Sequence, residues 1–156
     1  MQQFSVSSDL GVSADALWQH AVTPADINAE FRPLLRMTFP QGMDDLTAGW
    51  EPGRRRFRSW ILLLGVFPVD YDDIAFTRIV PGERFEERSR MLSQASWEHD
   101  RVILACSGGV RLTDTVRFRA RLPWLEKIYL WVFRGVFLYR HRALRRMYGQ
   151  RRRTAR

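Results

Sequence analysis

SWEHDRVILACSGGVRLTDTVRFRAR, residues 96–121, decides the architecture. Two runs alternate apolar and polar side chains, and Ser107-Gly108-Gly109 separates them, as in two antiparallel strands joined by a tight turn. The alternation puts Trp97, His99, Arg101 and Ile103 on one face of the first strand. Glu98, Asp100, Val102 and Leu104 fall on the other. A turn centred on Gly108 places Asp114 near Val102 or Ile103, so a direct His99–Asp114 pair is not expected. Upstream, RFRSWILLLGV (56–66), VDYDDIAFTRIV (69–80) and RFEERSRMLSQ (84–94) read as further strands, bent apart by Gly65 to Pro68 and by Pro81-Gly82. Consecutive hairpins predict an antiparallel meander. Downstream of Pro123 the period changes, and Ile128, Val132, Phe133, Val136, Phe137, Leu144 and Tyr148 fall at helical spacing.

FSVSSDL at the N-terminus alternates as a first strand. Ser13 can then cap a helix ADALWQHAV, with Asp15 in its first turn. Thr23-Pro24-Ala25-Asp26 starts a second short helix with Thr23 as cap, and Pro33 closes it near Phe31 or Arg32. Residues 40–53 hold Gly42, Gly49 and Pro52 and predict an irregular excursion or a weak strand. The expected class is α+β: a curved antiparallel sheet of about seven strands around a long C-terminal helix, with two short helices after the first strand. A curved sheet gripping one helix tends to leave an interior cavity.

Composition narrows the function classes. The chain has 156 residues, 46% hydrophobic, and a net charge of +8. All 17 acidic residues lie at or before Glu126, against 15 basic residues in the same stretch. The excess is carried by Lys127, Arg134 and eight arginines from Arg140 to Arg156, so the body is near neutral and nucleic acid is not an expected partner. No apolar run reaches the roughly 18 residues of a membrane span, and MQQFSVSSDL lacks signal-peptide blocks, which predicts a cytoplasmic protein, with peripheral membrane contact left open. The single cysteine, Cys106, reads as a core thiol. Asp70, Asp72 and Asp73 lack the glycine and distal glutamate of a calcium loop and read as a turn and strand edge. No metal or other cofactor is expected.

Several phrases resemble the START/SRPBCC helix-grip superfamily, which includes polyketide cyclases and dehydrases and lipid-transfer domains. They are Ala16-Leu17-Trp18, Leu64-Gly65-Val66-Phe67-Pro68, Phe85-Glu86-Glu87, Trp97-Glu98-His99-Asp100-Arg101, Leu112-Thr113-Asp114-Thr115-Val116 and Phe137-Leu138-Tyr139-Arg140-His141-Arg142. The pattern W-x-H, then T-D-x-V, then F-x-x-R marks the branch. The resemblance implies one ligand-binding domain over residues 1–150; the run RRRTAR, residues 151–156, reads from its composition as a basic disordered tail. It also implies a lipophilic or aromatic ligand between sheet and terminal helix.

The residues expected at that cavity are Trp60, Trp97, His99, Arg101, Phe118, Phe137, Arg140 and His141. Asp114, Glu87 and Arg88 are expected to serve as structural ion-pair partners, with one of Glu87 and Arg88 facing inward. Arg140 could bind the carboxylate of an amphipathic ligand or pin the terminal helix to Glu87 or Asp114. Arg142, Arg145 and Arg146 are expected to stay solvated. The leading functional reading is a carrier or sensor of a hydrophobic small molecule. On an enzymatic reading, a polyketide cyclase or dehydratase, His99 is the general acid or base and Arg88 or Arg101 polarises a carbonyl. On a third, the basic terminal helix makes the protein an adaptor docking to an anionic membrane or, less expected, to nucleic acid; separately, the apolar face of that helix leaves a homodimer contact open.

Overall fold

A computed structural model describes residues 1–150. The basic tail expected over 151–156 lies outside the described residues. The elements run β1 (Gln2–Leu10), α1 (Ala14–Val22), α2 (Pro24–Phe31), β2 (Leu35–Met37), β3 (Arg55–Leu63), β4 (Phe67–Val80), β5 (Arg84–Met91), β6 (Gln94–Cys106), β7 (Gly109–Ala120) and α3 (Glu126–Tyr148). All seven strands form one antiparallel sheet in the order β1-β7-β6-β5-β4-β3-β2. The meander read from the sequence thus supplies β3 to β7, β1 returns to pair with β7, and the short β2 adds an edge.

Local chemistry accounts for the element ends. The Ser13 hydroxyl accepts from the Ala16 amide at 3.2 Å and caps α1. Thr23 is the N-cap residue of α2 as expected, but its hydroxyl makes no capping bond and donates back to the Gln19 carbonyl at 2.6 Å, so Pro24 and first-turn Asp26 mark that helix start. Gly109 stands where the chain turns into β7, and a Cβ there would lie 2.0 Å from the Leu10 carbonyl oxygen. Only glycine lets β1 close on β7 at that point.

Register corrects one expectation. Cys106 pairs with Gly109, so the turn is Ser107-Gly108 and Arg101, neither Val102 nor Ile103, stands opposite Asp114. A one-residue slip flips which side chains share a face. Cys106 is not a core thiol: it is partly exposed at the hairpin end, its Sγ 3.5 Å from the Leu104 carbonyl.

The apolar core lies on the concave side of the sheet. Leu17, Trp18, Val22, Ile27 and Phe31 of the short helices pack with Ile74, Phe76, Phe85, Ile103, Leu112 and Leu144. A second cluster joins Phe4, Val6, Met91, Trp97, Val116, Phe118 and Phe137. Each such side chain contributes about 1.5–3 kcal/mol on burial. Within α3 only Phe137, Arg140, His141 and Leu144 are buried, an i, i+3, i+4, i+7 stripe. Two of those four are polar, so this stripe does more than fill a core. Among the described residues no helix is long and apolar enough to cross a membrane.

Candidate functional site: an apolar cavity above a buried ion network

A cavity of about 390 Å³ lies between α3, the end of α2 with β2, and the wall made by β3 to β6. Phe31, Leu34, Met37, Ile61, Met91, Trp97, Val132, Phe133, Val136 and Phe137 supply its apolar lining. Its polar contributions come from Asp70, Asp72, Ser93, His99 and Arg140. Of the expected cavity residues, Trp97, His99, Phe137 and Arg140 border it. The other four do not. Phe118 is fully buried behind Trp97 and Phe133, its ring centroid 5.1 Å from the latter. Arg101 and His141 lie deeper, in an ion network. Trp60 is 42% exposed on the opposite face of the sheet, edge-on to Tyr71, because Phe57 and Ser59 take the inward positions of β3.

Asp114 is the hub of the network and is fully buried. Arg101 grips it through two bonds, Nε to Oδ1 and Nη2 to Oδ2, both 2.8 Å. His99 Nε2 reaches Oδ1 at 2.9 Å and His141 Nε2 reaches Oδ2 at 2.9 Å. The His99 contact is diagonal across the strand pair, which a long side chain can span. His141 is held from behind by Ser8 Oγ at 2.7 Å from Nδ1, and Arg145 donates to the same hydroxyl, also at 2.7 Å, so Arg145 is not simply solvated. Glu30 of α2 completes the arrangement. It accepts from Arg140 Nε at 2.7 Å and lies 3.4 Å from Arg101 Nη1 and 3.1 Å from His20 Nε2. Arg140 therefore pins α3 to Glu30, neither to Glu87 nor to Asp114, with its guanidinium over the rings of Phe31 and Phe137.

Burial pushes every carboxylate here toward its neutral form, and the neighbours decide the outcome. For Glu30 the Arg140 and Arg101 guanidiniums outweigh burial and hold the carboxyl well below its ordinary range. Arg101 and the hydrogen bonds of His141 and His99 do the same for Asp114. Burial would lower His99, but its bonds to Asp114 and Glu87 raise it. Glu87, 3.5 Å from His99 Nδ1 and accepting from Ser89 Oγ at 2.5 Å, is lowered despite burial because of that histidine. Asp72 goes the other way: burial and the adjacent Glu87 carboxylate both raise it well above an ordinary aspartate. Arg101, Arg140 and His99, whose charged form its two carboxylate neighbours favour, thus face Glu30, Asp114 and Glu87, while burial and Glu87 favour the neutral form of Asp72.

Glu87 is the inward member of its pair. Arg88 faces outward, donating to Asp100 at 2.6 Å, so it cannot polarise a carbonyl in the cavity. Arg101 has both its donor edges occupied by carboxylates. Asp70 and Asp72 are not a strand edge; they point inward from β4, whereas Asp73 points outward to Arg58 at 2.8 Å. Glu30, Asp70 and Asp72 are carboxylates of the site that the sequence reading missed, together with Ser93 and most of the apolar lining. For the two aspartates a signal existed, since they share the period-2 face of Ile74 and Phe76.

The family model DUF8410, described as a domain of unknown function, matches residues 8–148. The chain belongs to this family. A comparison with curated proteins finds no match. Among solved structures, the DUF8410 chain is similar to protein CV1439 of Chromobacterium violaceum, with a TM-score of 0.71 and 12% identity over 96% of this chain and 99% of that one. It is similar to the AHSA1 protein of Silicibacter pomeroyi, with a TM-score of 0.66 and 14% identity over 92% and 94% of the two chains. A START superfamily protein of Mycobacterium smegmatis gives a TM-score of 0.67 and 10% identity over 94% and 96%. At these identities the likeness is one of fold, and it is the START-like helix-grip fold.

Proposed function

We propose that this DUF8410 protein binds a hydrophobic small molecule or lipid in the cavity between the sheet and α3, as a carrier or sensor. The observation that carries the reading is the cavity wall itself: a mainly aromatic and aliphatic lining with a few polar groups along one side, the composition of small-molecule sites. The cyclase or dehydratase reading has less support. His99 has both ring nitrogens against carboxylates, so acting as a general base would require it to leave one of them.

Native mass spectrometry of gently purified protein tests the reading, with Val136→Trp as the blocking variant because Val136 borders the cavity. A discrete lipophilic adduct on the wild type that disappears in the variant is expected. An adduct retained by Val136→Trp at equal occupancy would sink the proposal.

One observation favours membrane docking as a companion to binding. Leu63 and Val69, which border the cavity, flank a turn bearing exposed Leu64, Val66 and Phe67, and Trp131 is 82% exposed beside cavity-lining Val132 on α3. The exposed cations Arg32, Arg36, Lys127 and Arg134 belong to the same elements or adjoin them. An apolar rim with basic flanks suits an anionic bilayer surface.

A further inference from the structure

Asp70, Asp72, His99 and Arg140 are the buried polar side chains that border the cavity, and they differ in what they have left to offer. Asp70 accepts from the Tyr71 and Ser93 amides and from the Ser93 hydroxyl. Asp72 is bonded to Glu87 and Ser89, and its Oδ1 has no surface toward the cavity. His99 has Asp114 at 2.9 Å from one ring nitrogen and Glu87 at 3.5 Å from the other. Arg140 is different. Its Nε donates to Glu30 Oε2 at 2.7 Å, but among the described residues Nη1 and Nη2 meet no acceptor, and neither is sealed off by packing. The guanidinium carbon lies 4.6 Å from the ring centroid of Phe31 and 5.0 Å from that of Phe137, both of which border the cavity. One edge of the group is fixed to Glu30, and the edge that remains open carries donors only. A buried donor without an acceptor is costly and calls for one.

We propose that this edge, Nη1 and Nη2 of Arg140, is the polar contact of the cavity, and that its ligand is an uncharged apolar molecule with a carbonyl head, a ketone or an ester. This rests on the cavity-binding reading and specifies its ligand. A carbonyl oxygen has lone pairs and no hydrogen, so it can take both Nη donors and asks nothing of the wall in return. An alcohol would bring a hydrogen to acceptors that the protein already occupies. A carboxylate would bring a negative charge to a guanidinium that Glu30 has neutralised, on a wall that also holds Asp70. The Nε bond and the two rings hold the guanidinium in place before anything binds, so its donors are presented without a further ordering cost. A bond from a charged donor is also stronger than one between neutral groups.

Isothermal titration of the full chain with 2-nonanone, 2-nonanol and nonanoate tests this. The ketone is expected to bind at least about fivefold more tightly than either of the others, as for one buried hydrogen bond made or missed. Arg140→Lys keeps a cation for Glu30 but loses the fork, and should erase the preference. Should the lysine variant fail to fold, infrared spectra of the wild type decide: the carbonyl stretch of bound 2-nonanone should lie at lower wavenumber than in hexane. An unshifted stretch, nonanoate or 2-nonanol binding as tightly as the ketone, or a preference that survives Arg140→Lys, would overturn the proposal. Equal binding of all three ligands, abolished by Val136→Trp, would leave the cavity reading standing without this contact. Binding of none of the three to the wild type would remove both.

Discussion

Replacing Asp114 by asparagine should be among the most damaging single changes this protein can suffer. Its carboxylate receives four hydrogen bonds of 2.8–2.9 Å from Arg101, His99 and His141, and all four groups are shielded from water. Asparagine keeps the shape and one acceptor but removes the charge. Arg101 is 1% exposed and would retain Glu30 as its only anionic partner, at 3.4 Å and already neutralising Arg140. Removing one partner of a buried ion pair costs about 3–5 kcal/mol, which for a chain of this size lowers the melting temperature by roughly 10 °C or more. Differential scanning calorimetry and urea titration at pH 7 measure it directly. Changing Arg101→Met together with Asp114→Leu should be less damaging than the two single changes added, by more than about 1 kcal/mol, because no charge is then left stranded. A loss below about 1 kcal/mol for Asp114→Asn, or strict additivity in the double variant, would refute the hub argument.

Asp72→Asn should do the opposite. The raised carboxyl of Asp72 means that the folded state holds a proton the unfolded chain releases near pH 4, so stability declines as pH rises above that point. Asparagine imitates the protonated acid at every pH. The variant should match the wild type near pH 3.5 and exceed it by at least about 1 kcal/mol at pH 7.5; equal stability at both pH values would show that Asp72 is ionised at no cost. For the apolar rim, Phe67→Ser with Trp131→Ser should reduce co-sedimentation with phosphatidylglycerol vesicles at low salt by at least about fivefold. No sedimentation of the wild type would dispose of membrane docking.

The period-2 alternation in residues 96–121 puts Trp97, His99, Arg101 and Ile103 on the buried face, as observed; of the positions at helical spacing after Pro123, Phe137 and Leu144 belong to the buried stripe of α3, whereas Ile128 and Val132 are exposed. What failed depended on geometry that periodicity does not encode. The expected hairpin register set Asp114 near Val102 or Ile103 instead of Arg101, which hid the contact between His99 and Asp114. Trp60, expected at the cavity, lies on the outer face, because the inward face of β3 is set by Phe57 and Ser59. Glu30 was invisible because a lone glutamate in a short helix reads as a surface residue. Only packing of α2 against α3 carries it beneath Arg140, 110 positions away in the chain.

The pairing of β1 with β7 also matters for how the chain is made. Leu10 meets Val110, so the first strand to leave the ribosome must wait for about 100 more residues before its partner exists. At synthesis rates of about 5–20 residues per second that is roughly 5–20 s. Throughout, Phe4, Val6 and Leu10 have no sheet to join, and the late arrival of α3 postpones charge neutralisation of Glu30 by Arg140 still further. The nascent protein therefore spends its synthesis with an uncovered strand edge and a half-built interior, a state in which a chaperone would find a sticky client.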